Sequence, residues 1–347
     1  MTTDMLREIG EQPDALARTL ERLLPLQSQL ARLLDGRRHV LFAARGTSDN
    51  AAVYGRYLVE VHTGRGAALA APSLATHYAV QRDLSDTAVI SLSQSGATEE
   101  IVATQAWARD AGAVTVAITN ADDSPLSEGA DIALVTEAGP ELAVPATKTY
   151  TAQLLAVAVL VDALRPEGPA FGDEFARVPS EVARLVAARH GIDGAIATLA
   201  ESTHLLVSGR GIVYGTALEL ALKLEETCLE PVRGLSYADL RHGPIAVVEA
   251  DTTALLVAAG HGPLVEPMIE LARELAQRGA NVVTIGGDQR LAAAGTVHLD
   301  GPELSEALAP LGLIVPGQLL VEGLARARGL DPDAPRGLSK VTQTDRG

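Results

Sequence analysis

The sequence predicts an α/β protein in which one unit of parallel strands and helices occurs twice. Short apolar runs typical of buried strands alternate with longer segments of helical periodicity. Apolar runs without alternating polar residues indicate strands covered on both faces, as in doubly wound, mostly parallel sheets. In the first half we predict strands at 39–44, 88–92, 113–118 and 132–135 and helices at 50–61, 99–111 and 151–164.

An internal repeat supports this prediction. Residues 39–46 (HVLFAARG) match 204–211 (HLLVSGRG), and the tetrapeptide GPEL occurs at both 139–142 and 301–304. The apolar run 88–92 has its counterpart near 253–257, and the order of these landmarks is the same in both halves. We therefore expect an N-terminal helical segment, broken near Pro13, followed by two domains and a tail, at 1–35, 36–190, 191–330 and 331–347.

The amino-acid composition limits the classes of molecule that the protein is expected to bind. A net charge of −16 and only 3% aromatic residues argue against a nucleic-acid-binding protein. The only cysteine, Cys228, allows neither a disulfide framework nor a cysteine-based metal site, and we expect no metal and no cofactor. The N-terminus does not resemble a signal peptide, and no apolar stretch reaches the roughly 18 residues of a membrane span. We expect a cytoplasmic protein with a small-molecule partner and no membrane association.

A hydroxyl-rich turn, SQSGAT at 93–98, follows the predicted strand 88–92 and precedes a predicted helix. A helix N-terminus presents N–H donors and partial positive charge, which suits an anion. The alternative interpretation is a helix cap, with Ser95 or Thr98 at the N-cap. The second copy has AAGHGP at 258–263, without hydroxyls, so the fold does not require them and the anion site is favoured. The segment 46–48 leaves its own strand at the same sheet edge and would add donors.

Four further residues stand out, each with an ordinary structural explanation. Lys223 and Glu226 are three residues apart on a predicted helix, where a surface ion pair is the common arrangement. His242 lies in a tight turn, and exposed turn histidines are usually inert. Lys340 follows a segment rich in proline and glycine, where a solvated lysine is expected.

Short motifs in a fixed order relate these residues to a known family. They are GTS at 46–48, SQSGAT at 93–98, GPE at 139–141, TK at 147–148, ALE at 217–219, KLEE at 223–226, HGP at 242–244 and PRGLSK at 335–340. The set resembles the sugar-isomerase (SIS) domain family, and within it the isomerase half of glucosamine-6-phosphate synthase and the SIS-type glucosamine-6-phosphate deaminases. The glutaminase domain of the synthase has no counterpart among these motifs.

The resemblance implies a fold and a role for each matching residue. The fold is two tandem SIS domains, each with a doubly wound, five-stranded, flavodoxin-like sheet flanked by helices. Glu226 would move a proton between C1 and C2 of a hexosamine 6-phosphate, with Lys223 beside the sugar oxygens. His242, contributed across a homodimer interface, would assist ring opening, and Lys340 in the tail would close over the open-chain sugar. The substrate-binding residues would be Gly46, Thr47, Ser48, Ser93, Gln94, Ser95, Thr98 and Ala146.

Two positions depart from the family pattern. Ala146 stands where the family commonly has a serine, so one sugar contact is lost or replaced. Arg45 precedes Gly46 and is a large basic residue that either reaches the substrate or pairs with a carboxylate such as Asp49.

Three functions remain open from the sequence. The first is deamination and isomerisation of glucosamine 6-phosphate to fructose 6-phosphate. The second is a dehydratase that eliminates water from N-acetylglucosamine 6-phosphate, because an amide nitrogen is not readily lost as ammonia. The third is a non-catalytic sugar-phosphate sensor. Glu226, His242 and Lys340 occur together, which favours turnover over sensing.

Overall fold

The computed structural model describes residues 2–340 and contains two parallel five-stranded sheets. The strands of the first are β1 (His39–Ala43), β2 (Gly66–Leu69), β3 (Thr87–Leu92), β4 (Val114–Thr119) and β5 (Ile132–Val135). Those of the second are β6 (His204–Gly209), β7 (Val232–Ser236), β8 (Thr252–Ala258), β9 (Asn281–Gly286) and β10 (Val297–Leu299). The orders are β2-β1-β3-β4-β5 and β7-β6-β8-β9-β10, with every adjacent pair parallel. Both are the flavodoxin-like order, so the predicted fold class is confirmed.

Helices connect successive strands in both halves. The helices up to the end of the first half are α1 (Asp4–Gly10), α2 (Gln12–Leu23), α3 (Gln27–Leu33), α4 (Thr47–Thr63), α5 (Ser73–Thr76), α6 (Glu99–Asp110), α7 (Pro125–Glu128) and α8 (Lys148–Ala163). Those that follow are α9 (Gly172–Ala187), α10 (Ile192–Ala200), α11 (Tyr214–Cys228), α12 (Tyr237–Arg241), α13 (Val265–Gln277), α14 (Gln289–Ala294) and α15 (Pro310–Ala327). Short 3₁₀ turns lie at Leu24–Leu26, Gly211–Val213 and Pro244–Val247.

The described residues divide into two compact units, each built on one sheet. The β1–β5 unit comprises residues 14–141, 148–176 and 339–340, and the β6–β10 unit comprises 2–13, 142–147 and 177–338. The β6–β10 unit is therefore built from three segments of the chain, two of which are short. The tail predicted at 331–347 is described as far as residue 340, and its last seven residues lie outside the described part.

Strand burial explains which strands could be predicted. Every residue of β3 and β4 is buried, as expected for central strands covered on both faces. The edge strand β2 escaped prediction because its sequence, GAAL, has no β-branched residue and alternates between exposed and partly buried positions. The N-terminal helical segment is broken near Pro13, as predicted. The break falls at Glu11, and Pro13 itself lies in the first turn of α2, where its missing N–H costs nothing.

The helix α8 is buried at every position from Lys148 to Ala163. Its one acidic residue, Asp162, accepts hydrogen bonds from the backbone N–H groups of Ala170 and Phe171 and from the Gln27 side chain. A buried carboxylate is tolerated when its hydrogen bonds are satisfied in this way. None of the helices within residues 2–340 combines the length and apolarity needed to span a membrane.

The first helix of the chain docks on its last. Thr3 caps α1, and its hydroxyl also donates to Glu322 of α15 at 2.8 Å. The backbone N–H groups of the first turn, including that of Met5, donate to the Asp333 carboxylate. Met5 and Ile9 are fully buried, so α1 is an integral part of the β6–β10 unit.

Candidate active site

The two segments predicted to bind phosphate leave neighbouring strands of the first sheet. β1 and β3 are adjacent and parallel, with Ala43 paired to Ser91, so residues 44–48 and 93–98 emerge at the same carboxyl edge. Gly46 is the N-cap of α4 with φ +55°, a conformation that favours glycine. The N-terminus of α4 therefore lies within the first segment, and that of α6 directly follows the second.

The hydroxyl groups of 93–98 form hydrogen bonds within their own loop. Ser93 Oγ lies 3.1 Å from Thr98 Oγ1, and Ser95 Oγ accepts from the N–H of Ala97 at 3.2 Å. Thr98 occupies the N-cap position of α6, but its side chain forms no capping hydrogen bond within the described chain, and Ser95 lies outside the cap. Side-chain capping therefore does not explain these hydroxyls.

Gly96 forms the tight point of this loop. Its φ is +63°, and a Cβ added there would lie 2.0 Å from Ser124 Oγ. Ser124 is itself fixed, because it forms a reciprocal capping box with Ser127 at the start of α7. Only glycine can bring the loop backbone this close to α7.

Arg45 pairs with a residue that the sequence did not indicate. Its Nε and Nη2 donate to the two carboxylate oxygens of Glu100, both at 2.9 Å, in a parallel two-point contact. The suggested partner Asp49 is not hydrogen-bonded to it. Burial raises the pKa of Asp49, and the Arg45 charge acts in the opposite direction. Arg45 thus pairs with a carboxylate, as one of the two alternatives expected, but the partner is Glu100 in the first turn of α6 and not Asp49.

The base residue predicted on α11 lies in a partly buried charged cluster. Lys223 Nζ contacts Glu226 Oε2 and lies 3.5 Å from Glu219 Oε1. The Lys223 and Glu219 side chains are 1% and 0% exposed, whereas that of Glu226 is 24% exposed. Lys223 and Glu226 do form an ion pair, but it is not the surface pair that the spacing favoured, because the ammonium is buried. The Glu226 carboxylate remains partly accessible.

Lys340 is held by a buried carboxylate of the GPE motif. Its Nζ lies 2.8 Å from Glu141 Oε2, and Glu141 also accepts from the N–H and the hydroxyl of Thr149. The Glu141 side chain is fully buried, and that of Lys340 is only one-quarter exposed. The solvated lysine expected from the flanking sequence is therefore not what the structure shows.

Ala146 lies, half-buried, in a segment whose backbone is fixed from two sides. The N–H groups of Leu142 and Ala143 donate to the buried Glu8 carboxylate of α1. The carbonyl of Thr147 accepts from the Gln318 side chain of α15 at 3.3 Å. Segment 142–147 is thus held by the first and last helices of the β6–β10 unit.

The remaining predicted residue, His242, directly follows α12 and is exposed. His242, Glu226, Lys223 and Ala146 lie in the β6–β10 unit, whereas the phosphate-binding candidates and Lys340 lie in the β1–β5 unit. Within residues 2–340, no group of three or more histidine, cysteine or acidic residues is placed to hold a metal ion.

Sequence reasoning missed three carboxylates that organise these side chains: Glu100, Glu141 and Glu219. The motifs GPE and ALE contain Glu141 and Glu219, so attention to every motif residue would have found them. Glu100 had no such signal, because its contact with Arg45 spans 55 residues.

The SIS domain model matches residues 33–163 and 198–320. The chain belongs to the SIS domain family. The first SIS match contains β1–β5 and the second contains β6–β10, which confirms a tandem pair of SIS domains.

Known proteins of similar sequence and structure agree with this assignment. The chain is 34% identical over 344 residues to the isomerizing glutamine–fructose-6-phosphate aminotransferase of Pyrococcus horikoshii, covering 97% of this chain and 57% of that protein. The chain therefore spans little more than half the length of this curated relative. A provisionally assigned phosphosugar isomerase from Silicibacter pomeroyi has a TM-score of 0.87 at 33% identity, covering 96% of this chain and all of the other. The C-terminal domain of the Francisella tularensis glucosamine-fructose-6-phosphate aminotransferase has a TM-score of 0.82 at 26% identity, covering 96% of this chain and 99% of that domain.

Proposed function

We propose that this chain is an enzyme acting on an amino-sugar 6-phosphate, which opens the sugar ring and abstracts the C2 proton. The reaction we propose converts glucosamine 6-phosphate and water into fructose 6-phosphate and ammonia. The observation that carries the proposal is the placement of Glu226, a partly accessible carboxylate fixed by the buried ammonium of Lys223.

This arrangement suits a general base. Abstracting a proton beside a carbonyl needs a carboxylate held in one orientation and still open to the substrate. Lys223 provides the orientation through one carboxylate oxygen and leaves the other for the substrate. Because Lys223 is itself flanked by Glu219, its ammonium stays in place although it is buried.

The chemical steps balance without an external oxidant. In the open-chain aldehyde, Glu226 takes the proton from C2, and the electron pair forms an enolamine with C1. Return of a proton to C1 gives a ketimine at C2, and water then replaces the imine nitrogen to release ammonia. His242 would assist ring opening, and Lys340 would interact with the open-chain sugar, either as a nucleophile or as an electrostatic stabiliser.

The phosphate would bind at the segments 46–48 and 93–98. Backbone N–H groups at two helix N-termini and several hydroxyl groups meet at this sheet edge, which suits a phosphate ester. The names of the relatives support a phosphorylated hexose as the substrate class, since the Pyrococcus horikoshii protein is named for fructose 6-phosphate. Because the chain spans 57% of that relative, only the sugar-phosphate half of its activity is proposed here.

Product analysis tests the proposal. The purified chain is incubated with glucosamine 6-phosphate, and ammonia and fructose 6-phosphate are quantified with E226Q as the control. We expect both products in equal amounts from the wild type. N-Acetylglucosamine 6-phosphate is analysed in parallel by mass spectrometry. Loss of one water from it, with no ammonia from the free amine, would replace deamination by elimination, and binding without any product would indicate a sensor.

A further inference from the structure

We infer that Arg45 is a positioning residue for the substrate phosphate. It holds the segment 46–48 against the first turn of α6 and neutralises the Glu100 carboxylate beside the loop 93–98. The inference rests on the phosphate-binding role proposed above for these two segments and adds a residue to it that the family motifs do not contain.

The contact fixes two segments relative to each other. Arg45 directly precedes Gly46, and Glu100 is the second residue of α6, which begins directly after Thr98. Two parallel hydrogen bonds of 2.9 Å define both the distance and the orientation of the guanidinium. A third, from Nη1 to the carbonyl of Ala44 at 3.3 Å, ties the arginine to its own strand end. Arg45 thus links the two loops that we propose bind one phosphate.

The charges at this edge explain why a cation is needed. The first turn of α6 carries Glu99 and Glu100, and the first turn of α4 carries Asp49. Carboxylates at helix N-termini interact favourably with the helix dipole, but they repel an incoming phosphate dianion. The Glu100 side chain is 7% exposed, so solvent screens its charge poorly. Pairing with Arg45 removes this repulsion where the phosphate enters.

The second sheet shows that the ion pair is not required by the fold. Arg210 occupies the same place in the repeat, after β6, and its guanidinium carbon lies 4.5 Å from the centre of the Tyr237 ring. The loop 259–263 that follows β8 has no hydroxyls, and Glu266, the second residue of α13 as Glu100 is of α6, pairs with Arg290 and not with Arg210. The ion pair therefore accompanies the hydroxyl-rich loop and is absent where that loop is absent.

Calorimetric titration of the full chain with glucosamine 6-phosphate tests the inference. We expect R45M to raise Kd about tenfold or more, because it releases the clamp and removes the cation beside the Glu100 carboxylate. R45K keeps the charge but loses the two-point contact, and we expect a rise of about threefold. R45M/E100Q should return to within about threefold of the wild type, because it removes the repelling charge. R38M, which removes the exposed pair with Asp86 at the other end of β1, is the matched control and should not change Kd.

Steady-state kinetics and an unphosphorylated ligand separate positioning from a general loss of structure. The Arg45 variants should raise KM and leave kcat nearly unchanged, and weak binding of glucosamine itself should not respond to them. Unchanged affinity of R45M overturns the inference, as does a double variant that binds no better than R45M. If R45M does not fold, the Kd values of R45K and R45M/E100Q are each compared with that of the wild type. A wild-type chain that does not bind glucosamine 6-phosphate at all overturns the proposed function, and the Arg45 inference with it.

Discussion

At the scale of single residues, Lys223 shows how a buried charge acquires a function. An ammonium that is 1% exposed needs carboxylate partners, and α11 supplies Glu219 one turn before it and Glu226 one turn after it. Glu219 is fully buried, whereas Glu226 keeps one-quarter of its side chain exposed. The first carboxylate is thus enclosed in the protein interior, and the second remains partly accessible.

This asymmetry leads to a prediction for Glu226. We expect E226Q to lower kcat by about 10²- to 10⁴-fold, because the amide accepts no proton from C2. Affinity for glucosamine 6-phosphate should change far less, since the amide has the same shape. E225Q, at the exposed neighbouring position on α11, is the matched control and should retain activity. Ammonia release and calorimetric titration provide the two measurements, and equal turnover by E226Q would remove Glu226 from the mechanism.

Two residue pairs show which side-chain contacts can be predicted from the sequence and which cannot. The spacing of Lys223 and Glu226 predicts that they meet, because positions i and i+3 share a helix face. It does not predict their burial, which depends on packing in the β6–β10 unit. Arg45 and Glu100 are 55 residues apart, and their contact exists only because β1 and β3 are neighbours.

At the scale of elements, the end of α4 is fastened to the segment after α8. His62 Nδ1 lies 3.0 Å from Arg165 Nη1, and the His62 ring packs edge-on against Phe171 at 5.3 Å. Burial lowers the pKa of His62, and the Arg165 charge lowers it further, while Asp162 acts in the opposite direction. The junction is therefore most stable while His62 is neutral.

This junction predicts a loss of stability in mild acid. Below the ordinary histidine pKa of about 6.5, the unfolded chain binds a proton that folded His62 resists, so the free energy of unfolding falls as the pH decreases. We expect the free energy of unfolding of the wild type to fall more than that of H62Q between pH 7 and 5. Urea unfolding at both pH values measures the difference, with H204Q, at an exposed position, as control. Identical pH dependence of wild type and H62Q contradicts the prediction.

Strands and helices were easier to predict than side-chain contacts, because a run of apolar residues in the local sequence indicates a buried strand. The apolar runs of β3 and β4 identify central strands of a parallel sheet, and the observed bounds lie within one residue of those predicted. β2 has only small residues and a leucine, so its pairing with β1 comes from tertiary structure.

At the scale of the whole molecule, two sheets of identical strand order carry different chemistry. The loop after β3 has hydroxyls, and the Arg45–Glu100 pair links its helix to the end of β1, whereas the loop after β8 has no hydroxyls and Arg210 at the end of β6 packs on the Tyr237 ring. The repeat thus predicted the architecture twice but the phosphate site only once, because site residues reside in loops that the fold leaves free to vary.

The exposed position of His242 leads to a prediction about assembly. If the histidine serves a site on a second copy of the chain, as the family resemblance implies, variants H242A and E226Q should complement each other. Each is expected to be nearly inactive alone. Refolding them together should yield about a quarter of wild-type activity, because half of the dimers are mixed and each has one intact site. Sedimentation of the wild type provides the control for dimer formation, and no recovery on mixing places His242 in the site of its own chain.

The docking of α1 on α15 orders events during synthesis. The Thr3 hydroxyl can form its hydrogen bond only after Glu322, 319 residues later in the sequence, has been synthesised. Met5 and Ile9 have their burial site only when α15 has left the ribosome. Helix α1 is therefore made long before the helix that buries it, and until then its apolar face is available to chaperones.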